Sequence, residues 1–366
     1  MPSSKRLIAI NLPQFHPFKE NDEWWGKGFT EWTNVAKARP RFKGHYQPHL
    51  PADTGFYDLR LPEARQMQAD MARQYGIYGF CYYHYWFNGK QLMERPVNEI
   101  LSSGKPDFPF MLCWANENWT RSWDGQNNNV LIKQEYSYDD DINHIRYLCE
   151  NVFNDPRYIR VYGKPFFVVY RPYWIPDAKK TIETWRKIAA SYNIELYLGF
   201  MQSGEKGNQY FLDSGFDIAI DFQPKTSYTK STHKQWWRDP NTYKNLFISK
   251  ILKRPIPPKP KIIEYNDYTK DMMHKQKNSR EFPGITPGWD NSPRRPNDDF
   301  FALINSTPEI YGKWLRYLLD SFTPFSPEEN FIFINAWNEW GEGNHLEPDQ
   351  KWGRAFLEET LKQVNI

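Results

Sequence analysis

Long apolar runs are missing from this 366-residue sequence. No stretch approaches the roughly 18 consecutive apolar residues of a membrane-spanning helix. The opening MPSSKRLIAINLPQF has no apolar leader core and enters a strand pattern almost at once, so no signal peptide is expected. Cysteine is scarce. Cys81, Cys113 and Cys149 make an odd count without paired spacing, which argues against a disulfide framework. Two of them sit inside apolar runs, as small buried thiols do, and a cytoplasmic location is expected. An excess of one charge is also missing. With 47 basic and 44 acidic residues the net charge is +3, too balanced for a nucleic-acid footprint. The densest basic stretch, Lys253 to Lys261, is broken by four prolines and reads as a stiff loop. No His, Cys, Asp or Glu spacing has the pattern of a metal centre, so neither metal nor cofactor is expected. Asp139-Asp140-Asp141 opens a helical segment, where acids favour the N-terminal dipole.

Aromatic residues are abundant instead: 16 Trp, 23 Tyr and 25 Phe make 17% of the chain. Such rings fill cores, and Trp and Tyr also offer flat apolar faces with a polar handle. Sugar rings suit those faces, because their C–H groups stack while their hydroxyls seek hydrogen bonds.

Eight apolar runs rich in β-branched and aromatic residues recur in order: LIAINLPQF, GIYGFCYYHY, FPFMLCWAN, KPFFVVYRP, IELYLGFMQ, FDIAIDFQP, FPGITPGWD and FIFINAWNEW. Their near-continuous apolarity predicts parallel strands buried on both faces. Segments of helical period lie between most of them. Ala64, Met67, Met71 and Tyr75 share one face, as do Ile182, Trp185, Ile188 and Ala189. Thr307-Pro308-Glu309 reads as a cap, a first-turn proline and an acid. The alternation predicts one α/β unit over 1–366, a (β/α)8 TIM barrel. Two long insertions, about 18–51 and 223–281, each follow a strand and so fall on the face where barrel active sites are built.

The predicted strand ends are polar. They bring His16, then Tyr83 and His84, then Trp114, Asn116, Glu117 and Trp119, then Tyr170 and Arg171, then Gln223. Trp289, Asp290 and Asn291 follow, and last Asn338, Glu339, Trp340 and Glu342. Amides, imidazoles and carboxylates for hydroxyls, with indoles for ring faces, fit an oligosaccharide or polysaccharide partner. Arg171 and Arg294 suit either an acidic sugar or neighbouring carboxylates. The sequence does not set an oligomeric state.

Carboxylates three apart in a turn, such as Glu339 and Glu342, can lie on one side with Cβ atoms about 5–6 Å apart. Gly341 and Gly343 allow a tight turn and close approach. Glycoside cleavage needs one carboxyl to protonate the departing oxygen and a second at the anomeric side. Glu117, on the third strand, paired with Glu339 on the eighth is a competing arrangement, since acids on different strands are the usual glycosidase pair.

The stretches GFTEWTNVAKARPRFKGHYQPHLP, GFCYYHYWF, CWANENWTRSWDG, PGWDNSPRR and NAWNEWGEGNHLEP resemble the WbsX-type proteins of polysaccharide gene clusters over nearly the whole chain. Those proteins are in turn similar to glycoside hydrolase family 99, the endo-acting α-mannosidases. That resemblance implies a retaining α-glycosidase without a glycosyl-enzyme ester. By it Glu339 deprotonates the sugar's 2-hydroxyl, which attacks C1 to give a 1,2-anhydro sugar. Glu342 protonates the leaving oxygen and then activates water. WbsX-type proteins also carry the label glycosyltransferase, yet this sequence has no Gly-rich phosphate loop after a strand and no Asp-x-Asp metal motif of a nucleotide-sugar enzyme. A glycan-binding barrel without activity is a further alternative.

Overall fold

The computed structural model describes residues 5–121, 126–202, 207–225, 259–275 and 279–366. Most of the second predicted insertion, including 253–258 of the proline-broken basic stretch, lies outside the described residues.

Eight parallel positions form the barrel wall. They are β1 (Arg6–Asn11), β2 (Ile77–Phe87), β3 (Phe110–Trp114), β4 (Lys164–Val169), β5 (Tyr197–Gln202), β6 (Ile218–Asp221), β7 and β8 (Phe331–Ile334). The seventh position is split into Glu281–Phe282 and Gly284–Ile285 on either side of Pro283, so nine segments fill the wall. The first half pairs with β6 and the second with β8, while β1 pairs with β8 and β2. Pro283 has no N–H to give a ladder, but its carbonyl accepts from the Phe333 amide at 2.9 Å. Gly284 is required at this seam. A Cβ there would sit 1.7 Å from the Asp221 carbonyl oxygen of β6.

The wall strands are buried on both faces, as parallel strands covered by helices are. Residues Leu7 to Ile10 of β1 and Phe331 to Ile334 of β8 are each at most 2% exposed. Helices Pro62–Gln74, Arg95–Ser103, Tyr138–Asn151, Ala178–Ala190, Pro308–Ser321 and Ala355–Asn365 surround them. The expected cap is present, with Thr307 accepting from the Ile310 amide; at the start of the acidic helix Ser137, not read from the sequence, accepts from the Asp140 amide. All three cysteines are buried and free. Among the described residues no helix is long and apolar enough to cross a membrane.

Additions cluster after the strands. Two short helices, Lys19–Trp25 and Glu31–Lys37, follow β1. A hairpin of Trp119–Arg121 and Gln126–Ile132 follows β3, and a small hairpin of Asn338–Glu339 and Asn344–His345 follows β8. A three-stranded side sheet joins Lys261–Glu264, Phe301–Ile304 and Trp289–Asp290.

Candidate active site

A cavity of about 440 Å³ opens where the wall strands end. Among the described residues, every wall position but the fifth sends side chains to it. Leu12 and Gln14 come from behind β1, Tyr83 and Tyr85 from β2, and Glu117 to Thr120 from behind β3. Tyr170 and Trp174 follow β4, Phe222 follows β6, and Trp289 and Arg294 follow β7. Glu339 and Glu342 close the ring after β8.

The chain turns sharply there. Trp340–Glu342 forms one 3-10 turn, ended by Gly343 in the left-handed region at φ 55°. This turn carries both glutamates to one guanidinium. Arg294 Nη2 is 2.8 Å from Glu339 Oε2, and Nη1 is 2.7 Å from Glu342 Oε1. Its Nε is 2.7 Å from Oε1 of Glu31, an acid fully buried at the start of helix Glu31–Lys37. A planar guanidinium with five fixed donors can give each of three carboxyl groups its own nitrogen, whereas an ammonium offers a single one. Space is equally tight: a Cβ on residue 341 would lie 1.6 Å from Glu31 Oε1. Gly341 is therefore what allows Glu31 to reach Arg294.

Burial pushes the Glu342 carboxyl up to about 8; Arg294 opposes the shift, and the charge of Glu339 adds to it. Burial also raises Glu31 against the pull of Arg294. The direction of this shift favours the protonated form of Glu342, the state a general acid requires. Burial likewise holds Tyr83 and Tyr85 well above the usual phenol range, so both face the cavity as neutral hydroxyls.

Several predicted site residues line this cavity: Tyr83, Glu117, Trp119, Tyr170, Trp289, Glu339 and Glu342. Glu117 differs from Glu342 in setting. Its carboxylate pairs with Arg171 Nε at 2.6 Å and its side chain is 38% exposed. Arg171 lies over the Tyr170 ring at 4.0 Å, so it engages these neighbours instead of the cavity.

Others among the expected ligand contacts serve the fold. Trp114 is a core residue, 1% exposed among Tyr136, His144 and Trp185, so it offers no face to a sugar. Trp340 is fully buried, stacked on His345 at 3.8 Å, with Nε1 donating to Glu347 at 2.7 Å. His84 pairs with His144 at 3.1 Å, and burial pushes it down to about 3. His16 is buried and pushed down to about 4. Asn116 clamps Arg171 through its amide and carbonyl, and Asn338 clamps Leu12 in the same way. Gln223 is bound to the Tyr268 hydroxyl. Asp290 accepts from His45 and Gln47 at 2.6 Å each, and Asn291 accepts from the Phe301 amide. Polar side chains at strand ends must satisfy a buried backbone as well as a ligand, and here the backbone takes most of the amides.

Glu31 has no signal in the sequence beyond lying in the Gly-Phe-Thr-Glu-Trp stretch. Glu347, buried beneath the site, is a supporting residue that spacing does not reveal. Its Oε1 accepts from Gln68 at 2.8 Å and Trp337 at 3.0 Å, and its Oε2 from Tyr57 at 2.8 Å and Trp340. Burial pushes it up to about 7 in spite of these donors. It fixes both indoles that flank Asn338-Glu339. Glu347→Gln puts an amide N–H₂ against two of the donors, at about 1–3 kcal/mol for each group left unpaired. Denaturant unfolding is expected to show that loss, and a variant as stable as the parent contradicts it.

The parallel (β/α)8 barrel has counterparts among solved structures. It is similar to the GH99 endo-alpha-mannosidase of Bacteroides thetaiotaomicron, with TM-score 0.58 and 15% identity over 98% of this chain and 96% of that one. A structure described as a glycoside hydrolase-like protein matches with TM-score 0.61 and 13% identity, covering 100% of this chain and 95% of the other. At the level of sequence the chain belongs to the family Glycosyltransferase WbsX, matched over residues 7–360. It is 42% identical over 361 residues to uncharacterized protein WxcX of Xanthomonas campestris pv. campestris, in strains B100 and ATCC 33913 alike. Those matches cover 98% of this chain and 49% of each relative, so the chain spans about half the length of the curated relatives it matches.

Proposed function

We propose that this chain is a retaining α-glycosidase, or a transglycosylase of the same chemistry, acting on a mannose-type residue of a bacterial polysaccharide or its precursor. The observation that carries the reading is the pair Glu339 and Glu342, held by Arg294 beside one cavity, with burial raising the Glu342 carboxyl towards its acid form. Glu342 gives its proton to the departing glycosidic oxygen. Glu339 takes the proton of the sugar's 2-hydroxyl, whose oxygen attacks C1 as the C1–O bond to the leaving group breaks. The product of this step is a 1,2-anhydro sugar. Glu342, now a carboxylate, deprotonates water, which opens the epoxide at C1, and the proton returns to O2. Two inversions at C1 give net retention. In this route Glu339 acts on O2 and forms no bond to C1, so both acids serve as proton carriers held by one guanidinium.

The description of the family supports a second reading, in which a sugar hydroxyl takes the place of water and the residue is transferred. The test is incubation with α-mannose-type oligosaccharides, with and without added acceptor sugars, and product analysis by mass and NMR. Shortened glycans released as the α-anomer are expected from hydrolysis, and lengthened acceptors from transfer. First release of the β-anomer overturns retention. Binding without any new product marks a glycan-binding barrel.

A further inference from the structure

A second cavity, of about 80 Å³, lies beside the segment that follows the two glutamates. Three groups at its wall carry chemistry that the proposed reaction does not use. His49 Nδ1 and His345 Nε2 stand 3.0 Å apart although 296 residues separate them in the chain. With a carboxylate oxygen of Asp349 they make a set whose ligand atoms all lie within 4.8 Å of one another.

Their surroundings orient them. His345 Nδ1 is 2.9 Å from the Glu347 carbonyl oxygen. A carbonyl only accepts, so Nδ1 carries the proton and Nε2 presents its lone pair towards His49. An imidazole anchored to a carbonyl by its far nitrogen is the usual outer shell of a metal-ligating histidine. Asp349 Oδ1 accepts from the amides of Lys351 at 3.1 Å and Trp352 at 2.6 Å, which fixes the carboxylate plane. Its Oδ2 meets the Tyr46 hydroxyl at 3.3 Å, long for a hydrogen bond between oxygens.

We propose that His49, His345 and Asp349 hold a divalent transition-metal ion, and that zinc is the ion that two imidazoles and a carboxylate suit best. Two nitrogens each about 2.0–2.1 Å from a tetrahedral ion lie roughly 3.3–3.4 Å apart. The observed pair therefore has to part by only a few tenths of an ångström. The adjoining cavity leaves a fourth position for water. The ion would not touch a glycan in the larger cavity. It would clasp the loop after β1 to the segment after β8, and His345 lies flat on Trp340, the neighbour of Glu339.

The test uses the 366-residue chain purified without a polyhistidine tag, stripped with a strong chelator and dialysed. Titration with Co²⁺ alone is expected to give the visible absorption bands of a low-coordinate site that saturate at one ion per chain, and Zn²⁺ should abolish them. Zinc loading followed by gel filtration should leave one zinc per chain and raise the melting temperature. His49→Gln and Asp349→Asn should each weaken Co²⁺ binding at least roughly tenfold, since losing a ligand costs no less than losing an outer-shell partner. Absence of both cobalt bands and retained zinc in the parent chain overturns the proposal and leaves a hydrogen-bonded imidazole pair. Cobalt binding unchanged in both variants overturns it as well, because the ion then sits elsewhere. The parent measurement stands by itself if either variant fails to fold.

Discussion

Glu342→Gln is expected to lower turnover by at least ~10²-fold, the low end for loss of a general acid–base group, and Glu339→Gln by a comparable factor. An amide cannot give the leaving oxygen its proton, nor take one from a 2-hydroxyl. Folding should persist, and the sign of the linkage supports this. Glu342 is raised in the folded chain to about 8, from an ordinary value of 4.5. Between those values the folded state holds a proton that the unfolded chain has released, so this group's contribution to stability falls as pH rises. A permanently neutral glutamine lacks that penalty. The same shift predicts the pH profile. Turnover should decline as pH rises through about 8, because the acid form disappears, and the residual rate of Glu342→Gln should lack that limb. Steady-state kinetics across pH together with circular dichroism would check both points. Loss of activity in Glu117→Gln with Glu342→Gln tolerated would move the chemistry to the third-strand acid.

A substrate whose 2-hydroxyl is replaced by hydrogen or methylated should bind and fail to react. The 2-oxygen is the nucleophile in the proposed first step, so its removal takes away the bond-forming partner, not a contact. On an α-linked mannose-type sugar the axial O2 reaches the trans-diaxial geometry of epoxide formation, and a β-linked one does not. Calorimetry should register binding of the 2-deoxy compound while product analysis registers no cleavage. Normal cleavage of that compound would discard the epoxide route and leave retention standing, and Glu117 with Glu339 would be the pair to examine next.

The barrel was legible in the sequence because strands buried on both faces must be apolar along their length, and the eight runs show this directly. The seventh was the hardest to read. Its Gly and Pro look like turn residues, and in the structure they interrupt the strand at Pro283 while Gly284 passes within van der Waals reach of β6. The position of the two glutamates followed from the end of the eighth run. The indoles did not follow, because a strand-end Trp is equally able to face a ligand or fill the layer below. Trp119 and Trp289 line the cavity, whereas Trp114 and Trp340 are buried. Glu31 was out of reach of any local pattern, since its role depends on a guanidinium 263 residues away. The convergence of His49, His345 and Asp349 was illegible for the same reason, since His49 lies 296 residues from His345.

The clasp of Arg294 around three acids has an evolutionary corollary. Glu31, Arg294 and the turn bearing Glu339, Gly341 and Glu342 come from three separate segments, yet each is pinned by the others through charge or through lack of room. A lineage that loses the guanidinium strands three carboxyl groups in a buried place. One that gains a side chain at position 341 evicts the acid at 31. Single steps out of this arrangement are therefore costly, and changes of specificity meet less resistance in the aromatic rim of the cavity, where Trp119 and Trp289 stand.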